Sequence, residues 1–196
     1  MTAIIWVDPA TPPMKILLTG RSVMFDLENL DSVTRNSMVE EIELDISQGN
    51  LYRPERLSPY GAAHFHELLL EAARSSSPDQ LAAQMARDGR FFNSTELRSN
   101  GVQAKVPSNA ANILAEGEFN RYYLRGLAAR AIAEGIPFLE IYRARESLNP
   151  RVSSEHRIGE HIPPGEVLTE LRKTPVKGQK SSLIEPGSGL SFRVPE

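Results

Sequence analysis

"GEFNRYYLRGLAARAIAEG", residues 117–135, puts three aromatic side chains, three arginines and a run of small residues on one stretch of helical period. At about 100° per residue, Ile113, Gly117, Leu124, Leu127, Ala128 and Ala131 fall on one side. Phe119, Tyr122, Tyr123, Gly126 and Ala133 fall roughly opposite. A helix apolar on two faces is packed on two sides, so this one is read as the centre of the molecule. Tyr122, Leu124, Leu127 and Ala131 are therefore expected to be buried. Ser108 is the expected cap, with the helix running to about Gly135. Between the apolar faces lie two polar stripes, Glu118–Arg121–Arg125 and Glu116–Arg130–Glu134. Each mixes both signs, so the arginines are expected to pair with carboxylates or carbonyl groups; a nucleic-acid recognition helix presents a barer basic face. Glycine costs about 1 kcal/mol relative to alanine inside a helix, so Gly117 and Gly126 both imply close approach of a neighbour.

Helices are also expected on the N-terminal side. "DSVTRNSMVEEIELDISQG" (31–49) has Asp31 or Ser32 as cap, Val39, Ile42 and Ile46 at helical spacing, and Gly49 as stop. Ser58–Pro59 and Ser77–Pro78 each place a cap before a proline at the first helical position, where the missing N–H is harmless. Only "SSS" separates these two helices, which implies a helical hairpin. The period then changes: "RFFNSTELR" and "VQAKVP" flank "SNG", an Asn-Gly turn signal for a β-hairpin. Beyond the central helix, "IPFLEIYRAR" reads as a strand and "PPGEVLTELRK" as a short helix. The expectation is a helix-rich α+β core over residues 20–173, with a long central helix and a short β-hairpin or small sheet. Residues 1–19 are read as an extended N-terminal arm, because prolines in "DPATPP" interrupt its two strand-like runs. Residues 174–196, rich in Gly, Pro and Ser, are read as an extended C-terminal tail.

The chain has 196 residues, is 40% hydrophobic and carries a net charge of −3, so it can bury a core. It contains no cysteine, which excludes disulfides and thiol chemistry. No apolar run approaches ~18 residues, so no membrane span is expected, and the N-terminal stretch lacks the basic region of a signal peptide. Charge is uneven: residues 1–118 hold 10 Lys/Arg against 16 Asp/Glu, and residues 119–196 hold 12 against 9. Such a split fits head-to-tail contacts between complementary ends and is too shallow for a dedicated DNA-binding face.

No motif specifies a chemistry. A phosphate loop, a dinucleotide fingerprint and a nucleophile elbow are all absent from the sequence. His64 and His66 stand two apart in a helical context, where they do not share a face. His156 and His161 lie near Glu155 and Glu160, a combination that can bind zinc or move protons, but nothing fixes their geometry. Glu40, Glu41, Glu43 and Asp45 are read as an exposed acidic helix face. Glu140 lacks the Glu-x-Lys context of a nuclease strand, since Tyr142 stands where the lysine belongs. No catalytic residue, cofactor or metal ligand is assigned, and a non-enzymatic role is expected. The best basic patch is Arg143, Arg145 and Arg151 in "YRARESLNPR", a protein-contact patch or, alternatively, a nucleic-acid contact. In the two arms, Trp6, Leu183, Ile184, Leu190 and Phe192 are isolated apolar anchors for a partner.

The stretches "GRSVMFDLENLDSVTRNSMVEEIELDISQGNLY", "EGEFNRYYLRGLAARAIAEG" and "YRARESLNPR" together resemble small proteins carried by tailed bacteriophages and prophages, over about Gly20 to Arg193. The resemblance implies a capsid-associated, head–tail or tail component of the virion, assembled in the host cytoplasm with other structural proteins or with itself. It carries no catalytic residues. The alternative expectation is a nucleic-acid-binding or DNA-processing accessory protein that uses the Arg143–Arg151 patch.

Overall fold

The Asp31 side chain accepts hydrogen bonds from the Val33 and Thr34 N–H groups and starts α1 (Ser32–Gln48), the first helix among the described residues; Gly49, at φ 70°, closes it. The computed structural model describes residues 25–87, 89–98, 100–146, 150–173, 183–184 and 188–195. Helices α2 (Pro59–Ser75) and α3 (Pro78–Ala86) both start as expected, with Ser58 and Ser77 accepting from the N–H groups of Gly61 and Gln80. Strands β1 (Thr95–Leu97) and β2 (Gln103–Lys105) form the antiparallel hairpin, Thr95 opposite Lys105, with Gly101 at φ 78° in its turn. The long helix α4 spans Ala110–Ala133, about 36 Å at 1.5 Å per residue. Its N-cap is Asn109 rather than Ser108, and no side chain caps it.

Beyond α4 come β3 (Leu139–Arg143), a four-residue α5 (Val152–Glu155), β4 (His161–Ile162), α6 (Pro164–Arg172) and β5 (Leu190–Arg193). The second sheet has the order β4-β3-β5, with both pairings antiparallel. Helix α4 packs against α1, α3 and α6 and touches α2 and β5. Tyr122, Leu127 and Ala131 have no exposed surface and Leu124 is 2% exposed, as the two-face reading expects. The enclosure goes further than two faces: from Glu118 to Ala128 every residue except Arg121 is buried, while Ile113 and Ala133 are exposed near the ends.

The two helical glycines separate. A Cβ on Gly126 would stand 2.7 Å from the Met38 amide nitrogen and 2.9 Å from the Thr34 carbonyl oxygen, so the α1 backbone rests directly on α4 there. Gly117 has nothing within 4 Å of a Cβ position, which corrects the expectation of a close neighbour at that residue.

The C-terminal reading also needs correction. Leu190 and Phe192, expected as free anchors in an extended tail, are buried in the core as part of β5, and Leu183 and Ile184 pack against that core. One edge of β5 pairs with β3. On the other side the Asn120 amide donates to the Leu190 carbonyl and the Tyr123 hydroxyl donates to the Phe192 carbonyl. Strand Leu190–Arg193 thus belongs to the folded unit, not to a tail beyond residue 173. The expected arm 1–19, including Trp6, lies outside the described residues, as do residues 174–182.

Two contrasts follow for stability. Gly126→Ala should lower unfolding free energy by at least about 1–3 kcal/mol, because backbone rather than a flexible side chain occupies the space. Gly117→Ala should raise it by about 0.5–1 kcal/mol. Phe192→Ala should cost about 3–5 kcal/mol, as for a core aromatic. Urea denaturation of the three variants checks all of these, and an indifferent Phe192→Ala would return β5 to the status of a tail.

Candidate functional site

The densest polar constellation lies inside the α1–α4–α6 junction. On α1, Glu41 and Asp45 stand one turn apart on the stripe that also carries Thr34, Met38 and Ile42, and all five are buried. They meet Arg125 of α4, whose residue exposure is 0%. Its Nη1 donates to Asp45 Oδ2 at 2.5 Å, its Nη2 to Asp45 Oδ1 at 3.0 Å and its Nε to Glu41 Oε2 at 2.9 Å. This is the bidentate geometry for which a planar guanidinium is suited. The Tyr122 hydroxyl donates to Asp45 Oδ2 at 2.7 Å, and its ring lies 5.0 Å beneath the Arg125 guanidinium. From α6, Arg172 donates to both Glu41 oxygens at 2.5 and 3.0 Å. Arg121 completes the cluster, 3.5 Å from Glu118 Oε2, 3.7 Å from Asp45 Oδ2 and donating to the Leu171 carbonyl at 3.3 Å.

The expectation that the α4 arginines pair with carboxylates and carbonyls is met. The exposed acidic face is corrected in half: Glu40 and Glu43 are exposed, while Glu41 and Asp45 form the floor of the junction. The misleading signal was the choice of apolar stripe on α1. Val39, Ile42 and Ile46 suggested one face, yet the buried centre follows Thr34, Met38, Glu41 and Asp45, with Val39 and Ile46 at its border. The i, i+4 carboxylates opposite an i, i+4 pair of arginines were the available clue.

Electrostatics follow from burial and pairing. Burial alone drives the Glu41 carboxyl upward, but hydrogen bonds from Arg172 and Arg125 outweigh it and hold the group below its ordinary value. Asp45 behaves likewise: burial raises it, and bonds from Arg125 and Tyr122 pull it down further than that. Burial works against the charged form of Arg125, yet Asp45 and Glu41 together raise its pKa. Glu118 is the exception, because burial pushes its carboxyl up to about 7 despite Arg121. Paired charges of this kind position helices; Arg125, Asp45 and Glu41 are buried, and Arg172 closes the cluster at the surface.

The other candidates are scattered. Arg143 donates to the Ser188 carbonyl and pairs with Glu155, and Arg145 pairs with Glu116 at 2.9 Å, so these two guanidiniums brace the sheet and α4. Arg151 is exposed at the start of α5. His64 sits on α2, its Nδ1 2.9 Å from the Tyr60 carbonyl and its ring stacked on Tyr60. His161 lies in β4, stacked on Phe138, and His156 ends α5. Among the described residues no three His, Asp or Glu side chains converge in a way that would hold a metal ion. A shallow groove runs between the end of α3, the base of the hairpin and the start of α4, lined by Met85, Phe92, Val106 and Pro107 and, among the described residues, by Lys105 as an ionisable group.

Comparison with protein families, curated proteins and solved structures finds no match to this chain.

Removing one member of the buried cluster should be severe. Arg125→Met takes the bidentate guanidinium from Asp45 and one of two guanidiniums from Glu41, which keeps Arg172, and should cost about 3–5 kcal/mol at pH 7; a loss below about 1 kcal/mol would mean the site is hydrated like a surface pair. The acid limb has a definite sign. Glu41 and Asp45 have folded-state values below their ordinary 4.5 and 3.8, so they stabilise the fold above those values and that contribution is lost as pH falls through the lower folded values. The deficit of Arg125→Met relative to the parent should therefore shrink below about pH 4, as read by urea titrations at pH 7 and pH 3.

Proposed function

We propose that the chain is a non-enzymatic structural component of a bacteriophage particle, capsid-associated or part of the head–tail or tail assembly. The observation that carries the reading is the placement of its interactive groups. The strongest charges are spent inside the α1–α4–α6 junction, while large apolar side chains stand outward on the β1–β2 hairpin, Leu97 62% and Val102 55% exposed. Ile113, Phe138 and Val152 are further exposed apolar side chains. A two-stranded hairpin gains little independent stability, and exposed apolar groups on it favour a protein contact. The likeness of the sequence to small phage and prophage proteins supplies the setting. Trp6 and the rest of residues 1–19 remain the proposed partner-binding arm; Leu190 and Phe192 serve the fold instead. The nucleic-acid alternative draws less support, since Arg143 and Arg145 are engaged by Glu155 and Glu116.

The test is incorporation. The chain, expressed with a tailed phage whose genome encodes it, should be found at fixed stoichiometry in nuclease-treated, gradient-purified particles. Leu97→Glu/Val102→Glu should leave the thermal midpoint of the purified protein unchanged and reduce incorporation at least about tenfold, the equivalent of 1.4 kcal/mol. Absence of the parent chain from intact particles overturns the proposal. Salt-sensitive retention on DNA by the purified chain would instead favour the Arg143–Arg151 alternative.

A further inference from the structure

Glu118 is the one carboxyl of the junction that the arginines do not saturate. It lies on α4 with 8% of its surface exposed, and its best partner is the Arg121 guanidinium at 3.5 Å. That guanidinium is shared. The same Arg121 stands 3.7 Å from Asp45 of α1 and donates to the carbonyl of Leu171, in the last turn of α6. Arg121 therefore reaches the buried acid, the neighbouring helix and the end of α6 together.

We infer that Glu118 is a proton-linked latch for α6: in its protonated form it lets the α1–α4–α6 junction stay closed, and its ionisation favours release of the α6 end. The charges around it set the direction. Facing it from α4 are Arg121, the Tyr122 hydroxyl and, more distantly, Arg125; from α1 comes the like charge of Asp45, while the charged end of α6, Arg172, is committed to Glu41. Arg125 in turn is held by Asp45 and Glu41. An ionised Glu118 thus competes with Asp45 for one already shared guanidinium, in a place with little water. Opening the end of α6 relieves this by admitting water and freeing Arg121 from the Leu171 carbonyl. Helix α6 is the element able to respond, because it is nine residues long and packs chiefly on α4, with the half-exposed Arg172 on Glu41 as its ion pair to α1, whereas α1 is also held by α2. Burial raises the carboxyl from 4.5 to about 7, which places the transition in the neutral range.

Linkage fixes the form of the response. Where the closed state binds a proton that the open state has lost, the opening constant rises up to about tenfold per pH unit. For a group at about 7 when closed and 4.5 when hydrated, the rise lies between those values and flattens above 7. Stability of the closed junction is thus greatest on the acid side of this window and falls as pH rises through it.

The experiment is amide hydrogen exchange on the full chain across residues 166–173, corrected for intrinsic exchange, from pH 5.5 to 8. The parent should show an opening constant that climbs through the neutral range and then levels. Glu118→Gln, which keeps the shape and cannot ionise, should show no climb. Arg121→Gln removes the group that holds the Glu118 carboxyl down, so the climb should persist and level off at higher pH than in the parent. A parent profile without pH dependence, or a Glu118→Gln profile with the same slope as the parent, overturns the inference. Carboxyl carbon NMR of the parent reads the group directly whatever the fate of the variants: a midpoint near 7 is expected, and a midpoint near the ordinary 4.5 overturns the latch.

Discussion

The buried contact of Arg125 with Asp45 and Glu41 fixes the arrangement of the helices. A guanidinium without water must find its carboxylates, and the carboxylates must find it, so α1 can sit on α4 in one register only. A slide by one turn would break the bidentate Arg125–Asp45 contact and leave buried charge poorly paired, at a cost of several kcal/mol. Apolar packing tolerates sliding far better, because one methyl group substitutes for another. Gly126 belongs to the same device. It lies one residue beyond Arg125 and lets the α1 backbone come close enough for both carboxylates to reach the guanidinium. The junction therefore combines a directional lock with a close backbone fit, and neither works without the other.

The sheet solves a related difficulty. Strand β3 has a two-residue neighbour on one side and β5 on the other, and β5 would present a bare edge toward α4. Asn120 and Tyr123 cover that edge by bonding the carbonyls of Leu190 and Phe192. The Ser191 hydroxyl donates back to Asn120, and Asn29 accepts from the Val194 N–H. Two polar side chains on a mostly apolar helix face thus act as a substitute strand, one means of protecting an edge.

Local signals carried much of the fold. The Ser-Pro starts of α2 and α3, the Asp31 cap, the Asn-Gly hairpin and the buried face of α4 were legible because each depends on residues close in sequence. What was not legible depends on partners far apart. Glu41 and Asp45 look like surface acids until α4 brings Arg125 to them, and the segment around Leu190 looks like a polar tail until β3 supplies its ladder. Gly117 and Gly126 carry the same local signal, and only the position of α1 distinguishes them. The Arg143–Arg145 patch was visible in the sequence, but Glu116 and Glu155, which occupy it, come from other elements.

The lateness of β5 has a consequence for synthesis. On the ribosome, α4 and β3 emerge well before Leu190, so a nascent chain must hold them for a time with β3 open along one edge. During that interval Asn120 and Tyr123 face a vacant slot, and Leu139 and Ile141 lack their final cover. Helical contacts among α1, α3 and α4 can form early, since they need nothing downstream of Ala133. Completion of the sheet has to wait for the last described strand. Folding of this chain is thus divided in time by the order of its sequence, with its helical half closing early and its sheet closing only once β5 is made.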